Sequence, residues 1–149
     1  MTSLAHRLPP SLTHWPGYLL TFIAEHATER FEAAVAEYGI RSKHASVLLV
    51  VDAEGPMSQR ALGRRLRIDK SPMVGLLDDL EQLGLAVRRR SDEDRRVQAI
   101  HLTPKGRAVL DRVREIADAE NARTFDVLDD AERALLHDLL LRIAEADPA

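Results

Sequence analysis

Residues 84–106 read GLAVRRRSDEDRRVQAIHLTPKG, and this stretch decides the fold. Two runs typical of β-strands, Leu85 to Arg89 and Arg96 to Leu102, flank a charged turn over Ser91 to Arg95. The arginines at the tip of such a ribbon would lose their hydration on burial, so the ribbon is a poor core element. The same arginines suit the DNA minor groove, whose negative potential attracts them. On its own the ribbon could equally be an ordinary solvated hairpin.

The segment before the ribbon distinguishes these two interpretations, because it has the pattern of a helix-turn-helix. Ser58 can open one helix, residues 67–69 form a turn, and Asp69 can cap the next helix. This next helix is predicted over about 70–83, where apolar residues recur at i, i+3, i+4 and i+7. Pro72 is tolerated because it lies in the first helical turn. Helix, turn, helix and ribbon in this order indicate a winged helix-turn-helix.

Helical patterns also lie on both sides of this winged unit. After an irregular arm over residues 1–13, one helix is predicted from Pro16 to Gly39, and a second begins at Ser42, which can cap it, and ends at Gly55. Beyond the ribbon, Thr103 can cap a fifth helix, and a capping box at Asp129 opens a sixth. The chain has little left to cover the apolar faces of the last two helices. A second copy would cover them, so we expect a homodimer.

The expected fold is therefore mainly α-helical with a small two-stranded β-wing, in one domain over residues 1–149. The winged helix-turn-helix occupies about 42–103, and dimerisation helices occupy about 14–38 and 104–146. The longest fully apolar run, Val47 to Val51, is far too short to cross a bilayer. The amino terminus lacks the sustained apolar segment of a signal peptide. We therefore expect a cytoplasmic protein with no membrane partner.

The composition argues against several classes of functional site. The chain has no cysteine, which excludes disulfides and thiolate metal ligands. Its six histidines show no paired metal-binding spacing; they are residues 6, 14, 26, 44, 101 and 137. No nucleophile elbow, phosphate-binding glycine loop or dinucleotide fingerprint occurs. We expect neither an enzyme, nor a metal site, nor a cofactor.

The charge distribution favours a polyanionic partner more than the net charge does. The whole chain carries −3, but the span from Pro56 to Gly106 has eleven Lys and Arg against seven Asp and Glu, a net of +4. The remaining residues are correspondingly acidic. A basic middle between acidic ends is typical of local nucleic-acid binding.

Residues 94–103, DRRVQAIHLT, resemble the wing of the MarR family of bacterial transcriptional regulators. They match the family pattern of D-x-R, five residues and then L-T, and the frequent Pro-Lys-Gly follows at 104–106. The resemblance covers about residues 14–145. It implies a homodimeric, sequence-specific regulator of double-stranded DNA with a pseudo-palindromic operator. In this family such a protein is usually a repressor that a small ligand, here of the aromatic or phenolic kind, releases from DNA.

The resemblance also implies roles for individual residues. Asp94 would brace the wing turn by pairing with an arginine, and Arg96, with Arg95 beside it, would reach the minor groove. The fourth helix would enter the major groove. The residues expected at DNA are Ser58, Arg60, Lys70, Ser71, Val74, Gly75, Arg88, Arg95 and Arg96.

The start of the recognition helix departs from the family pattern. Many relatives resemble Ser-Thr-Val-Ser-Arg, whereas this chain has Ser-Pro-Met-Val-Gly at residues 71–75. Gly75 therefore replaces the arginine that could bind a guanine. Direct readout would then depend on Ser71 and Val74, with Lys70 on a phosphate.

A small-molecule pocket between the dimerisation helices and the winged unit is the last implied feature, lined by the first, second and fifth helices. The candidate residues are His14, Trp15, Tyr18, Leu19, His44 and Leu48. Trp15 can instead be a packing anchor at the dimer interface, and His44 a polar residue at the edge of the core.

Two other functions remain open at this point. One is a DNA-binding protein that senses no ligand, and the other is a winged-helix module that binds proteins. Salt-dependent binding to a specific duplex separates DNA binding from the protein module. Release of DNA by an aromatic acid would distinguish a ligand-responsive regulator from a DNA-binding protein that senses no ligand.

Overall fold

The computed structural model describes residues 8–146, which form six α-helices and a small sheet. The helices of this part are α1 (Pro16–Val35), α2 (Ser42–Glu54), α3 (Gln59–Leu66), α4 (Lys70–Gln82), α5 (Pro104–Thr124) and α6 (Asp130–Ala146). The strands are β1 (Met57–Ser58), β2 (Ala86–Arg90) and β3 (Gln98–Leu102). Of the irregular arm predicted over residues 1–13, residues 1–7 lie outside the described part of the chain.

The antiparallel sheet has three strands in the order β1-β3-β2, whereas the sequence predicted two. The additional strand pairs Met57 with Ile100 and Ser58 with Ala99. A strand of two residues is too short to show alternation, so this prediction was wrong for a physical reason. It attaches the root of the wing to the start of α3.

The second wing strand also starts later than predicted, at Gln98 instead of Arg96. The residues before Gln98 belong to the wing turn and not to the strand. In this turn the Val97 N–H donates to the Asp94 carbonyl at 2.9 Å, and the Ser91 N–H donates to the Val97 carbonyl at 2.8 Å. Arg96 therefore belongs to the turn and is exposed at the wing tip.

Side-chain caps explain where several helices begin. Ser58 Oγ accepts from the Ala61 N–H at 3.2 Å, and Thr103 Oγ1 accepts from the Gly106 N–H at 2.9 Å. The predicted capping box at Asp129 is confirmed, since Asp129 and Glu132 exchange two hydrogen bonds of 2.9 Å.

The predicted cap of α4 by the Asp69 side chain is wrong. Pro72 occupies the third helical position and has no N–H, so one of the two donors that such a cap uses is missing. Ser42, predicted as the cap of α2, is instead its first residue, and Arg41 precedes it. There His44 Nδ1 accepts from the Arg41 N–H at 3.1 Å.

The hydrophobic core lies where α2, α3, α4 and α5 pack around the sheet. The inner face of α4 supplies the predicted stripe, since Met73, Leu76, Leu77 and Leu80 are all buried. Leu48 of α2 is fully buried in the same cluster. Because one face of α4 is fixed in this core, its other face must point outward.

The last helix contributes no buried residue to this core. Leu135 and Ile143 of α6 are 59% and 61% exposed, and Leu20 and Ile23 of α1 are also exposed. A single chain thus leaves apolar surface on both α1 and α6. Within residues 8–146 no helix is both long enough and apolar enough to cross a membrane.

Candidate nucleic-acid interface and ligand cavity

Apart from Lys70, the outer face of α4 carries short side chains at its amino-terminal end. Lys70, Ser71 and Gly75 are exposed, and Val74 is half-buried. A Cβ placed on Gly75 would meet nothing within 4 Å, so the helix surface is open at that point. A surface of this shape allows the helix backbone to approach base edges closely.

A basic groove of about 740 Å³ lies between α3 and the first turn of α4. Its charged lining residues are Arg60, Arg64, Arg67, Lys70 and Asp69, so cations outnumber the one carboxylate. The sequence interpretation named Arg60 and Lys70 but missed Arg64 and Arg67. Helical spacing from Arg60 to Arg64 is the signal that could have found the first of these two.

The tip of the wing presents further cations. Arg89, Arg90, Arg95 and Arg96 are all exposed, and none of them forms an ion pair with any residue in the 8–146 range. Arg89 and Arg90 were not among the predicted DNA contacts. The run of three arginines at 88–90 was visible, but the pattern did not show which of them faces outward.

Asp94 braces the wing turn through the backbone and not through the predicted arginine pair. Its Oδ1 accepts from the Arg96 N–H at 2.9 Å, which is the geometry of an Asx-turn. Ser91 Oγ accepts from the Glu93 N–H at 3.2 Å in the same turn. The guanidinium of Arg96 consequently remains available for a partner outside the chain.

Arg88, predicted at DNA, is instead bound to the recognition helix. Its Nη2 donates to Asp78 Oδ1 at 2.7 Å, its Nη1 donates to Glu81, and its backbone N–H donates to Glu81 Oε1 at 2.8 Å. Burial acts to lower the pKa of Arg88, but the hydrogen bonds and charges of the two carboxylates outweigh it and raise that pKa. These contacts join β2 to α4 and leave Arg88 little to offer a phosphate.

An apolar cavity of about 420 Å³ lies between α1, α5 and α6, a position close to the predicted pocket. We call it the apolar compartment. It is lined by Leu20, Ile23, Ala24, Ala27, Thr28, Phe31, Ser42, Ala117, Glu120, Asn121, Thr124, Phe125, Leu136 and Leu140. The sequence interpretation expected the first, second and fifth helices as walls; α1 and α5 supply most of the lining, whereas α6 adds Leu136 and Leu140 and α2 contributes only Ser42.

None of the six predicted pocket residues lines this compartment. His14 and Trp15 are exposed before and at the start of α1, with ring centroids 3.9 Å apart. Tyr18 and Leu19 are half-buried on α1, and Leu48 belongs to the core. The remaining candidate, His44, is 2% exposed.

His44 links α2 to the recognition helix. Because its Nδ1 accepts from the Arg41 N–H, the ring hydrogen lies on Nε2, which faces Asp79 Oδ2 at 3.1 Å. The prediction of a polar residue at the core edge describes this position better than a ligand contact does.

A second cavity, of about 390 Å³, lies between the start of α2 and the recognition helix, and we call it the polar compartment. It is lined by Glu32, Arg41, Ser42, Lys43, Pro72, Gly75, Leu76 and Asp79. Ser42 thus belongs to the walls of both compartments. Its Oγ donates to Glu32 Oε1 at 2.7 Å, and this hydrogen bond is the main cause of a lowered pKa of Glu32.

Sequence comparison identifies relatives among transcriptional regulators. A model of the MarR family matches residues 38–97. Over 101 residues the chain is 37% identical to a protein of Thauera aromatica described as a transcriptional regulatory protein for the hcr operon. That alignment covers 67% of this chain and 61% of the relative, so it spans about three fifths of the relative's length.

Structural comparison finds the same fold in solved regulators. The transcriptional repressor CouR bound to a 23-mer DNA duplex has a TM-score of 0.81 and 34% identity, covering 91% of this chain and 96% of that one. CouR from Rhodococcus jostii RHA1 bound to p-coumaroyl-CoA has a TM-score of 0.80 and 29% identity, covering 95% and 99%. A MarR family regulator from Rhodococcus sp. RHA1 has a TM-score of 0.79 and 30% identity, covering 91% and 96%.

Proposed function

We propose that this chain, which belongs to the MarR family of transcriptional regulators, is a dimeric repressor that binds a specific DNA site and is released from it by a small ligand. The observation that carries the proposal is the combination of an open recognition-helix face, a basic groove and an arginine-rich wing on one packed unit. DNA is the partner whose grooves and phosphates match these three surfaces together.

The DNA-binding part of the proposal assigns each surface a role. Ser71 and Val74 face base edges in the major groove, where Ser can hydrogen-bond and Val can contact a thymine methyl. The basic groove binds phosphates, and Arg96 enters the minor groove. CouR, which has the same fold, is bound to DNA in its solved structure.

The dimeric state follows from the uncovered apolar faces of α1 and α6. A second copy packed on these faces would bury Leu135 and Ile143, which a monomer leaves to solvent. Two recognition helices related by a twofold axis would then read half-sites about 10 bp apart.

The ligand-sensing part depends on the apolar compartment. Its walls are mostly aliphatic and aromatic, which suits an aromatic or acyl group of a small molecule. CouR binds p-coumaroyl-CoA in its solved structure, and we propose a ligand with a similar apolar group here. Release requires that the ligand bind the DNA-free geometry more tightly than the DNA-bound one.

Selection of bound fragments from genomic DNA at fixed salt, with sedimentation of the free protein, tests the function. We expect a dimer and a pseudo-palindromic site, and Arg96→Ala should weaken binding to every selected duplex. Arg123→Ala is the matched control, because Arg123 is an exposed arginine near the far end of α5 with only a 3.9 Å ion pair. Failure to enrich any sequence would refute the proposal.

A further inference from the structure

We propose that Asp69 is a specificity-determining residue that accepts a hydrogen bond from a cytosine in the major groove. This inference rests on the proposed function and deepens it, because it names one base that the protein reads. Cytosine presents its N4 amino group as a donor at that edge, and a carboxylate is a suitable acceptor. Adenine also presents an amino group, but its N7 is an acceptor that a carboxylate would repel.

Asp69 lies at the start of the recognition helix, where base contacts are expected. It is the residue before α4, and its backbone is extended, with φ −63° and ψ 159°. The residue is exposed and lines the basic groove. In a helix-turn-helix, the amino-terminal residues of the second helix are the ones that contact base edges.

The carboxylate of Asp69 is not engaged within the fold. It accepts no hydrogen bond from the first turn of α4, where Pro72 has no N–H to donate. Across residues 8–146 it also forms no ion pair, although four cations line the same groove. These cations are Arg60, Arg64, Arg67 and Lys70. Neither a capping bond nor an ion pair therefore accounts for this side chain.

A carboxylate in this groove lowers affinity for DNA unless a base donates to it. Binding of phosphates by the four cations brings Asp69 close to the same phosphates, and like charges repel. The donors in the major groove are the amino groups of cytosine and adenine. Asp69 therefore opposes DNA binding in general, and this cost is offset only where such an amino group faces it.

Asp69 should also discriminate between bases more sharply than its neighbours on the recognition helix. The hydroxyl of Ser71 can donate or accept, so it tolerates several bases. Val74 can contact a thymine methyl, and Gly75 has no side chain. An ionised carboxylate only accepts, so it rejects guanine and thymine, which present acceptors at this edge. Each half-site should therefore contain one C·G pair that depends on Asp69.

The test compares the full-length protein with the variants Asp69→Ala, Asp69→Asn and Glu93→Gln. Each protein selects duplexes from a randomised library at fixed salt. Fluorescence anisotropy then measures affinity for the duplex that the parent selects, for that duplex with every other pair at the C·G position, and for a scrambled duplex. Glu93→Gln is the matched control, because Glu93 is an exposed carboxylate of the wing turn and lies away from the recognition helix.

The expected changes have opposite signs on the two kinds of duplex. Asp69→Ala should bind the parent's duplex about tenfold more weakly, as loss of one charge-assisted hydrogen bond allows. It should bind the scrambled duplex up to about fivefold more tightly, because a like charge is removed. Asp69→Asn should shift the preference at that position toward adenine, whose N6 and N7 an amide can bind together. Glu93→Gln should tighten binding to both duplexes by a similar factor and leave every base preference unchanged.

Three results would overturn this inference and leave the proposed function in place. The parent protein could select a site without a C·G pair in each half, or Asp69→Ala could select the same sequences as the parent. Asp69→Ala could also weaken binding to both duplexes alike and melt at a lower temperature, as expected if Asp69 only stabilises the start of α4. Enrichment of no sequence by the parent protein refutes the proposed function, and this inference with it.

Discussion

Arg88 allows a test in which two explanations predict opposite results. If Arg88 positions the wing against α4, neutralising its partners with Asp78→Asn/Glu81→Gln should weaken DNA binding, as Arg88→Ala should. If Arg88 instead contacts a phosphate, the Asp78/Glu81 variant frees it and should strengthen binding. The structure favours the positioning role, because both carboxylates and the Arg88 backbone N–H are already engaged with one another.

The expected size of the effect follows from the exposure of the groups. The Arg88 side chain is 19% exposed, and those of Asp78 and Glu81 are 50% and 34% exposed. Ion pairs this accessible to solvent contribute up to about 1 kcal/mol each. Arg88→Ala should therefore cost about 1–2 kcal/mol in unfolding free energy. If the freed wing must be ordered again on binding, DNA affinity falls by a similar energy, about five- to thirtyfold.

Fluorescence anisotropy on one operator duplex between 50 and 200 mM salt measures both affinity and its salt dependence. A positioning residue should leave the slope of log affinity against log salt unchanged, whereas loss of a phosphate contact lowers its magnitude by about one. Arg142→Ala is the control, because Arg142 is an exposed arginine of α6 and lies outside the surfaces that we assign to DNA. Tighter DNA binding by the Asp78/Glu81 variant, or a slope reduced by one in Arg88→Ala, would refute the positioning role.

Three further predictions concern the start of α5, the wing turn and an ion pair between α2 and α5. Gly106→Ala should destabilise the fold by about 3 kcal/mol or more, because its Cβ would lie 1.9 Å from the Leu85 carbonyl oxygen; an unchanged melting temperature contradicts this. Asp94→Ala should weaken DNA binding, whereas Asp94→Asn should retain it, because the amide oxygen can still accept the backbone hydrogen bond from Arg96. If the Asp94→Asn variant binds DNA as poorly as the Asp94→Ala variant, the charge of Asp94 matters and not the hydrogen bond. The hydrogen bond with Arg114 is the main cause of a pKa of Asp52 below its ordinary 3.8. The ionised Asp52 therefore adds stability to the fold above pH 3.8, and this contribution is lost as pH falls through the lowered pKa. Asp52→Asn should therefore melt below the parent at neutral pH, and the difference should shrink in acid; a constant difference from pH 7 to 2 would count against this linkage.

Local patterns predicted most of the helices because their causes are local. Apolar spacing fixes the buried face of α4, and the caps at Ser58 and Thr103 satisfy the first free N–H groups of their helices. The same local reasoning failed at Asp69, where Pro72 removes one possible donor, and at β1, which is too short to show a period.

The roles of individual site residues were harder to predict because they depend on packing between distant elements. An arginine on a strand looks the same in sequence whether its partner is DNA or a carboxylate, so the sequence could not show that Arg88 contacts Asp78 and Glu81. The apolar compartment has walls from α1, α5 and α6, and no pattern within any one of these helices shows that they line a common cavity. Ser42 was read as a cap, and its place in two cavity walls appears only in three dimensions.

The close contact between Gly106 and Leu85 links the orientation of α5 to the position of the wing. With no side chain between them, the start of this helix packs directly against the backbone of the residue that precedes the first wing strand. The helix has 21 residues and is therefore about 31 Å long. A tilt of roughly 10° at its far end, among the helices proposed to pair in the dimer, displaces its wing end by about 5 Å, more than the rise of about 3.4 Å between base pairs. A tilt of this size would thus be large enough to take the wing out of register with its groove.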